Sequence, residues 1–428
     1  MSIIIAIIIF SIMILFHEFG HFLFAKKNGI VVEEFSLGMG PKLISIERGG
    51  TKYCWKLLPF GGSCMMKGED GDDNEDGSFN HASVWGRICV VAAGPVFNFI
   101  LAFVAAVVIV AVMGTDKPYV TEFAENAPAE EAGLQVGDEI TSINGYHVKI
   151  GRDLYMYQTL DGLDGNPIMI SYIRDGKKGE ITYQPESEER YMLGFNYSAD
   201  DEKAVISSVS VNMPMYKAGI AAEDVITAVN GTEIATGNDL SSYMQEHPMD
   251  GSSMSIAYEH KGKTKTVEVT PEKTTYAQLG FAYNLSRSRL GIAGALRYSF
   301  TETAYWVRMT IKSLGMLLTG KVSVNDMSGP VGVVSAIGDT YQQSRSEGTL
   351  LTIMNMLNMI ILLSANLGIM NLLPIPALDG GRLVFLIIEA IRGKCINRDV
   401  EGMIHFGGLM LLLALIVYVT FQDISKLL

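Results

Sequence analysis

Long apolar stretches, separated by polar segments of very different lengths, dominate the pattern of this chain. They run from Ile3 to Ala25, from Ile88 to Met113, from about Leu350 to Asn371 and from Met403 to Phe421. Each is long enough to cross about 30 Å of hydrocarbon as an α-helix that rises about 1.5 Å per residue. The pattern therefore predicts four membrane-spanning helices, with both ends of the chain on the same side of the bilayer.

Composition agrees with this prediction. Of the 428 residues, 48% are hydrophobic and only 18% are charged, and the mean hydropathy is +0.24. A soluble chain would spread this apolar content over many short elements, whereas here it is concentrated in long blocks. We therefore expect a multi-pass protein of the cell membrane, meaning the inner or plasma membrane, with the lipid bilayer as a partner.

The net charge of −13 is concentrated in the middle of the chain. Residues 116–275 hold 27 acidic and 13 basic side chains, which indicates a solvated module and argues against a nucleic-acid partner. Basic residues collect in the links after the first and third stretches, and such links stay in the cytoplasm. The acidic module is therefore expected to be extracytoplasmic. The basic residues of these links are Lys26, Lys27, Lys42, Arg48, Lys52, Lys56, Lys67, Arg87, Arg392, Lys394 and Arg398.

The acidic module is duplicated. Residues 127–145 align with residues 213–231 at a constant offset of 86, without a gap. Each copy predicts a short helix that ends at Ala-Gly, a strand, and a tight hairpin turn at Asn-Gly. The apolar strand positions are expected to be Ile140 and Ile143 in the first copy, and Val225 and Val229 in the second.

This repeat resembles a tandem of PDZ domains. The first copy carries the pattern AGxxxGDxIxxING, and the second departs from it with Glu223 at the position of Gly137. PDZ domains bind peptides by adding a strand to a sheet edge, so a peptide ligand in these grooves is one interpretation. A steric plug over the membrane domain is the other, and the sequence does not decide between them.

Candidate chemistry begins with the motif HEFGH at residues 17–21, inside the first apolar stretch. On a helix, His17 and His21 lie one turn apart on the same face, so both imidazoles can reach one zinc ion. Glu18 is adjacent and can act as a general base toward a water molecule. Ionisable side chains are costly in hydrocarbon unless they serve a site, so we predict a zinc site and not a chance match.

A third zinc ligand is expected in the motif NLLPIPALDGG at residues 371–381. Pro374 and Pro376 break the third helix, and broken backbone at membrane depth is tolerated only where it is buried or lines a cavity. Asp379 follows this break at the depth where the first span ends, so its carboxylate completes a two-histidine, one-carboxylate set. Capping the next helix is compatible with that role. The other histidines, His405 among them, are expected to be ordinary surface or interface residues.

Together these features resemble the site-2 protease family of intramembrane zinc metalloproteases, of the regulator of sigma-E protease type with tandem PDZ domains. The resemblance covers almost the whole chain, and the order and separation of the motifs are specific. Two weaker marks agree with it, AGPVFN at residues 93–98 and SGPVG at residues 328–332.

The resemblance implies a role for each motif residue. It also implies that residues 35–64 form a membrane-associated β-loop, which pairs with the substrate strand. Asn371 would hold the substrate backbone or the oxyanion. The implied roles are zinc ligands His17, His21 and Asp379, general base Glu18 and substrate-binding residue Asn371.

The predicted fold class is a polytopic α-helical membrane protein with four transmembrane helices, two inserted α+β PDZ-like domains and a membrane-associated β-loop. The predicted divisions are 1–115 for the first membrane half, 116–195 and 196–275 for the PDZ-like domains, 276–349 for an amphipathic helix and linker, and 350–428 for the second membrane half.

The predicted function is regulated intramembrane proteolysis of single-span membrane proteins by a Zn²⁺ endopeptidase whose active site lies near the cytoplasmic side. The resemblance implies anti-sigma factors or remnant signal peptides as substrates. A catalytically inactive adaptor would show a broken metal set, and a metal transporter would show polar residues in several spans or inverted repeats. Neither pattern is present. Stress signalling and general clearance of signal-peptide remnants both stay open.

Overall fold

The computed structural model describes residues 2–69, 75–210, 212–260, 262–322 and 327–427. They divide into two compact units, the first formed by 1–114, 289–311 and 328–428, and the second by 115–288 and 312–327. The helices are α1 Ser2–Lys27, α2 Val84–Met113, α3 Pro128–Glu131, α4 Gly151–Leu160, α5 Pro214–Lys217, α6 Gly237–Glu246, α7 Ile292–Leu318, α8 Pro330–Arg345, α9 Thr349–Leu372, α10 Asp379–Arg392 and α11 Arg398–Leu427. The strands are β1 Val32–Arg48, β2 Thr51–Met66, β3 Val120–Phe123, β4 Glu139–Ile143, β5 Tyr146–His147, β6 Ile168–Arg174, β7 Lys177–Tyr183, β8 Ser187–Met192, β9 Phe195–Tyr197, β10 Ile206–Val209, β11 Val225–Val229, β12 Thr232–Glu233, β13 Met254–His260, β14 Lys263–Val269, β15 Glu272–Ala277 and β16 Phe281–Tyr283.

Four helices among the described residues are long and apolar enough to cross a membrane. They are Ile3–Lys27 in α1, Val84–Met113 in α2, Thr349–Leu372 in α9 and Asp399–Ser425 in α11. These helices cover the four apolar stretches from which spans were predicted. The first ends at two lysines, Lys26 and Lys27, and basic residues are frequent just beyond the cytoplasmic ends of spans.

Small residues let α2 pack closely against α1 and α9 in the first unit. Ala102 and Ala106 of α2 are fully buried in one cluster with Ile361 of α9. A side-chain carbon at Gly20 of α1 would lie 2.4 Å from the carbonyl oxygen of Ala93 in α2. Helices in membranes associate through such close backbone contacts. The motif helix α1 is thereby held against α2 at the level of HEFGH.

The predicted break of the third span is present. Helix α9 ends at Leu372 and α10 begins at Asp379, because Pro374 and Pro376 have no N–H for a helical hydrogen bond and clash with the preceding turn. The chain then folds back tightly: a side-chain carbon at Gly380 would lie 2.1 Å from the carbonyl oxygen of Leu373. This compact turn fixes where α10 starts.

Strands β1 and β2 form an antiparallel pair that doubles back on itself. Residues 32–37 pair with residues 62–66 on one side and, from residue 34 onward, with residues 52–55 on the other. The base of the pair is buried against α2, whereas the rest of the pair exposes many apolar side chains. Those more than half exposed include Met39, Leu43, Ile44, Ile46, Trp55, Leu57 and Leu58.

The second unit contains two lobes with the same architecture, as the repeat predicted. The first lobe has a four-stranded sheet in the order β5-β4-β6-β7, and the second has the order β12-β11-β13-β14. Each hairpin turns at Asn-Gly with both residues at positive φ, 48° and 78° at Asn144 and Gly145, and 49° and 83° at Asn230 and Gly231. This is the turn that suits the twist of a two-residue hairpin.

The strand predicted to contain Val225 and Val229 is present as β11, but its buried positions do not follow a regular alternation. The two buried positions of β11 are Ile226 and Val229, whereas Val225 is only half-buried. A bulge between Ile226 and Ala228 inserts an extra residue into the strand, so inward positions are spaced by three and not by two. The same spacing holds for Ile140 and Ile143 in β4, both of which are buried.

The predicted domain bounds follow sequence order, but the two lobes are not continuous in sequence. The segment after the first sheet adds a strand to the second lobe, and the segment after the second sheet adds a strand to the first lobe. Strand β9 pairs with β10, and Leu193 lies in the core of the second lobe. Strand β16 pairs with β3, and Leu279 and Phe281 lie in the core of the first lobe. The segment 278–283, predicted to belong to a linker, thus completes the first lobe.

Candidate metal centre

Three side chains from two distant parts of the chain meet at one point of the first unit. The Nε2 atoms of His17 and His21 are 3.3 Å apart. The Oδ2 atom of Asp379 lies 3.3 Å from the first and 3.5 Å from the second. Among the described residues, this is the group of histidine, cysteine and acidic side chains whose donor atoms are close enough to hold one metal ion.

Helix geometry explains how the histidines reach this point. Both lie on α1 one turn apart, and their rings meet edge to face. Asp379 is the first residue of α10, directly after the double-proline turn. An acidic residue in the first turn suits the helix dipole, but the N-cap position is held by Leu378 and not by Asp379.

The orientation of His21 is fixed by the backbone of α2. Its Nδ1 lies 2.9 Å from the carbonyl oxygen of Val90, which accepts only, so Nδ1 carries the proton and donates. The lone pair of Nε2 is then free to face Asp379. A partner that holds the far nitrogen in this way is a usual feature of metal-binding histidines.

The orientation of His17 is fixed by Asn98 of α2, a fully buried residue whose role the sequence reasoning missed. The Asn98 amide lies 3.1 Å from Nδ1 of His17. The nitrogen Nδ2 faces the ring, and Oδ1 is buried without a partner; a half-turn of the amide, which exchanges the two atoms, would let Oδ1 accept from Nδ1–H. The signal in the sequence was a lone amide inside an apolar span.

The donor set fits a zinc ion. Nδ1 of His21 is committed to Val90, and with the Asn98 amide turned so that its oxygen accepts from Nδ1 of His17, neither Nε2 would offer a proton to the buried Oδ2 of Asp379, and three acceptor atoms would face one another. That arrangement is unfavourable without a cation. Two imidazole nitrogens and one carboxylate oxygen form a three-ligand set that leaves a fourth position open.

Close packing beside the donors keeps the centre small. A side-chain carbon at Gly94 of α2 would lie 2.3 Å from Nε2 of His21 and 2.8 Å from Cε1 of His17. Any larger residue here would displace the imidazoles. The AGPVFN motif was noted in the sequence only as a mark of family resemblance. Two of its positions, Gly94 and Asn98, now have a physical role at the metal centre.

The other two predicted site residues lie on different helices. Glu18 is on α1 with the two histidines, and Asn371 is on α9, the helix before the turn that leads to Asp379. Glu18 is half-buried on α1, and a side-chain carbon at Gly62 of β2 would lie 3.0 Å from its Cγ. Asn371 is half-buried one residue before the end of α9. The β2 edge at Gly62 therefore passes directly beside the glutamate.

Ion pairs hold α10 in place beside α2. Both Nη atoms of the buried Arg87 in α2 donate to the carboxylate of Glu389 in α10, at 3.2 and 2.5 Å. Arg382 of α10 pairs with Glu69, in the segment that follows β2. Paired charges with good geometry restrain the helix that begins with Asp379.

The sequence profile of peptidase family M50 matches residues 5–415, almost the whole chain. The chain belongs to peptidase family M50. It is a membrane-embedded zinc metalloendopeptidase, and its metal is Zn²⁺. The resemblance to site-2 proteases stated from the motifs is thereby confirmed.

Curated relatives of this family span the full length of the chain. It is 31% identical to the zinc metalloprotease RasP of Geobacillus kaustophilus, over 99% of this chain and 98% of that protein. It is 30% identical to the regulator of sigma-E protease RseP of Escherichia coli, over 98% of each. The PDZ domain of HtrA3 bound to a phage-derived ligand shows a local likeness, with 20% identity and a TM-score of 0.18 over 21% of this chain.

Proposed function

We propose that this M50 peptidase cuts single-span membrane proteins within the bilayer, at the centre formed by His17, His21 and Asp379. The observation that carries the proposal is the convergence of these three acceptor atoms between apolar helices, beside Glu18. Ionisable side chains are costly to bury in hydrocarbon, so three of them at one point indicate a functional site. The active site would lie near the cytoplasmic side, and the repeated lobes would be extracytoplasmic.

Each site residue has a distinct task. When bound, zinc polarises the scissile carbonyl and makes water acidic enough to lose a proton near neutral pH. Glu18, next to His17 but not one of the three donors, accepts that proton and returns it to the leaving amine. Asn371 provides an amide donor for the substrate backbone or the developing oxyanion.

The β1–β2 pair offers a means of holding the substrate, as a membrane-associated β-loop. A helical segment must unwind before its amide can reach the metal, and an unwound segment needs backbone partners in the bilayer. Among the residues that the structure describes, residues 62–66 pair with β1 on one side and have no strand on the other, and Gly62 lies beside Glu18. Strand addition at this edge would present an extended substrate to the centre. The exposed apolar side chains of the pair suit contact with lipid.

The two lobes of the second unit are proposed to be PDZ-like domains. Their shared sheet order and helix positions support this. They would either bind a peptide in a sheet-edge groove or exclude substrates whose outer domain has not been trimmed. Anti-sigma factors and remnant signal peptides are the proposed substrate types, in line with relatives that are named regulators of sigma factors.

A cleavage assay with purified full-length protein tests this function. The substrate is a tagged single-span reporter without an outer domain, incubated with wild type, with Glu18→Gln and with wild type plus a zinc chelator. We expect cleavage within the span by untreated wild type alone, with zinc retained by Glu18→Gln. A second reporter that keeps a folded outer domain tests the lobes, and we expect it to be cut more slowly.

Each outcome has a defined meaning. If Glu18→Gln cuts as fast as wild type, Glu18 is not the general base and the proposed chemistry fails. If Asp379→Asn retains zinc as tightly as wild type, the proposed ligand set is wrong. Equal cleavage of both reporters would exclude size selection by the lobes and favour peptide binding as their role.

A further inference from the structure

We propose that His405 of α11 is a positioning residue of the metal centre, which holds the double-proline turn in the conformation that presents Asp379. The proposal rests on zinc ligation by Asp379. His405 was expected from the sequence to be an ordinary surface or interface histidine. The structure instead brings its ring onto the backbone two residues before the carboxylate ligand.

The backbone of the turn is strained at one residue. Ala377 has a φ of 75°, in the left-handed region that a residue with a side-chain carbon rarely adopts. Such a conformation persists only where the surroundings impose it, and it is typical of sites that must hold a group in place. Because Asp379 follows two residues later, release of this strain would move the carboxylate away from the imidazoles.

A single side chain receives the N–H of that strained residue. The N–H of Ala377 donates to Nδ1 of His405 over 2.9 Å. Neighbouring N–H groups of the turn, those of Ile375 and Leu378, instead donate to nearby backbone carbonyls. The contact with α11 is therefore the one that fixes Ala377 from outside the turn.

Close packing of α11 against the turn adds to the hydrogen bond between Ala377 and His405. Gly408 lies three residues after His405, on the same face of α11, and a side-chain carbon there would be 2.6 Å from the carbonyl oxygen of Pro376. The ring of Phe385, from α10, lies 5.4 Å from the His405 ring. The turn is thus clamped between two helices, with α11 in direct contact with its backbone.

The hydrogen bond also defines the state of the imidazole. Since Nδ1 accepts, the proton of the neutral ring sits on Nε2. Nε2 faces Glu401, whose carboxylate is 4.0 Å away. The two sides of the ring therefore have separable roles, and substitutions can test the acceptor side alone.

The experiment compares replacements of His405 in full-length protein. His405→Asn places an amide oxygen near the position of Nδ1, whereas His405→Phe keeps a ring without an acceptor. Phe406→Leu, at the exposed neighbouring position, and Glu401→Gln are the controls. Zn²⁺ affinity is measured by competition with a chromophoric chelator, and the visible spectrum of the Co²⁺-substituted protein reports ligand geometry. Thermal unfolding is followed in parallel.

We expect His405→Phe to bind Zn²⁺ about tenfold or more weakly and to change the Co²⁺ spectrum, as when a partner that orients a metal ligand is lost. His405→Asn should recover most of the affinity, and both controls should match wild type. Wild-type affinity in His405→Phe, or no recovery in His405→Asn, would refute the proposal. If His405→Phe does not fold, His405→Met takes its place, because its thioether is only a weak acceptor.

A double substitution separates strain control from general packing. Glycine adopts a positive φ without penalty, so Ala377→Gly should make the turn less dependent on His405. The loss of Zn²⁺ affinity caused by His405→Phe should therefore be smaller in the Ala377→Gly background than in wild type. Equal losses in both backgrounds would overturn the proposed mechanism. Because these readouts do not require proteolysis, a failure of the cleavage assay leaves them interpretable.

Discussion

Replacement of Asn98 by leucine should weaken zinc binding without unfolding the protein. Asn98 is fully buried, and its amide holds Nδ1 of His17 at 3.1 Å. Leucine has a similar volume but no hydrogen-bonding group, so the buried Nδ1 of His17 loses its partner and the ring becomes free to turn. The change acts on one metal ligand through its far nitrogen.

The magnitude follows from the lost hydrogen bond. Leaving one buried polar group unpaired costs about 1–3 kcal/mol. If that penalty falls on the conformation of His17 that binds the metal, zinc affinity drops by roughly 10- to 100-fold, which is the usual effect of losing such a partner. Asn98→Asp keeps an oxygen acceptor for Nδ1–H and should retain most of the affinity.

The assay is zinc competition against a chromophoric chelator, with cleavage of the trimmed reporter as a second readout. Ile100→Leu, on the exposed face of the same helix, is the matched control. A zinc affinity of Asn98→Leu within about twofold of wild type would show that the amide does not orient His17. The same conclusion would follow if Asn98→Asp were as weak as Asn98→Leu.

Three further predictions concern other parts of the chain. Gly94→Ala should abolish tight zinc binding, because the added carbon would lie 2.3 Å from Nε2 of His21; metal analysis of the purified variant checks this. Glu223 has a φ of 72° where the first lobe has Gly137, so Glu223→Gly should stabilise the second lobe by about 0.5–1 kcal/mol after the entropy cost of glycine. Amide hydrogen exchange should show slower exchange in that lobe, and unchanged or faster exchange would contradict the strain argument. Hydrogen bonds from two lysine ammonium groups lower the pKa of Glu34 to about 2, so its contribution to the stability of the β1–β2 pair is present above about pH 4.3 and is lost as the pH falls toward 2. Exchange in β1 measured across this range checks the sign, and greater protection at lower pH would contradict it.

The span and repeat predictions succeeded because they rest on local patterns. Helices that could span a membrane are defined by length and hydropathy, and the repeat is visible as a constant offset, so neither needs knowledge of contacts. The sequence did not reveal that Val225 would be only half-buried, because a bulge changes the inward spacing of the strand by one residue. A bulge depends on pairing with a neighbouring strand, which a single strand's sequence does not reveal.

By itself, the sequence determined the four apolar helices, the spacing of His17 and His21 on one of them and the break that ends in Asp379. These follow from helix periodicity, hydropathy and proline chemistry, which act over a few residues. Only the tertiary structure brought Asp379 within 3.5 Å of the imidazoles and gave Asn98 and His405 their partners. His21 contacts the carbonyl of Val90, 69 positions along the chain, and His17 contacts Asn98, 81 positions along. Packing between helices decides such contacts. The local sequence pattern indicated the metal ligands, and the packing of the helices decided which residues orient those ligands.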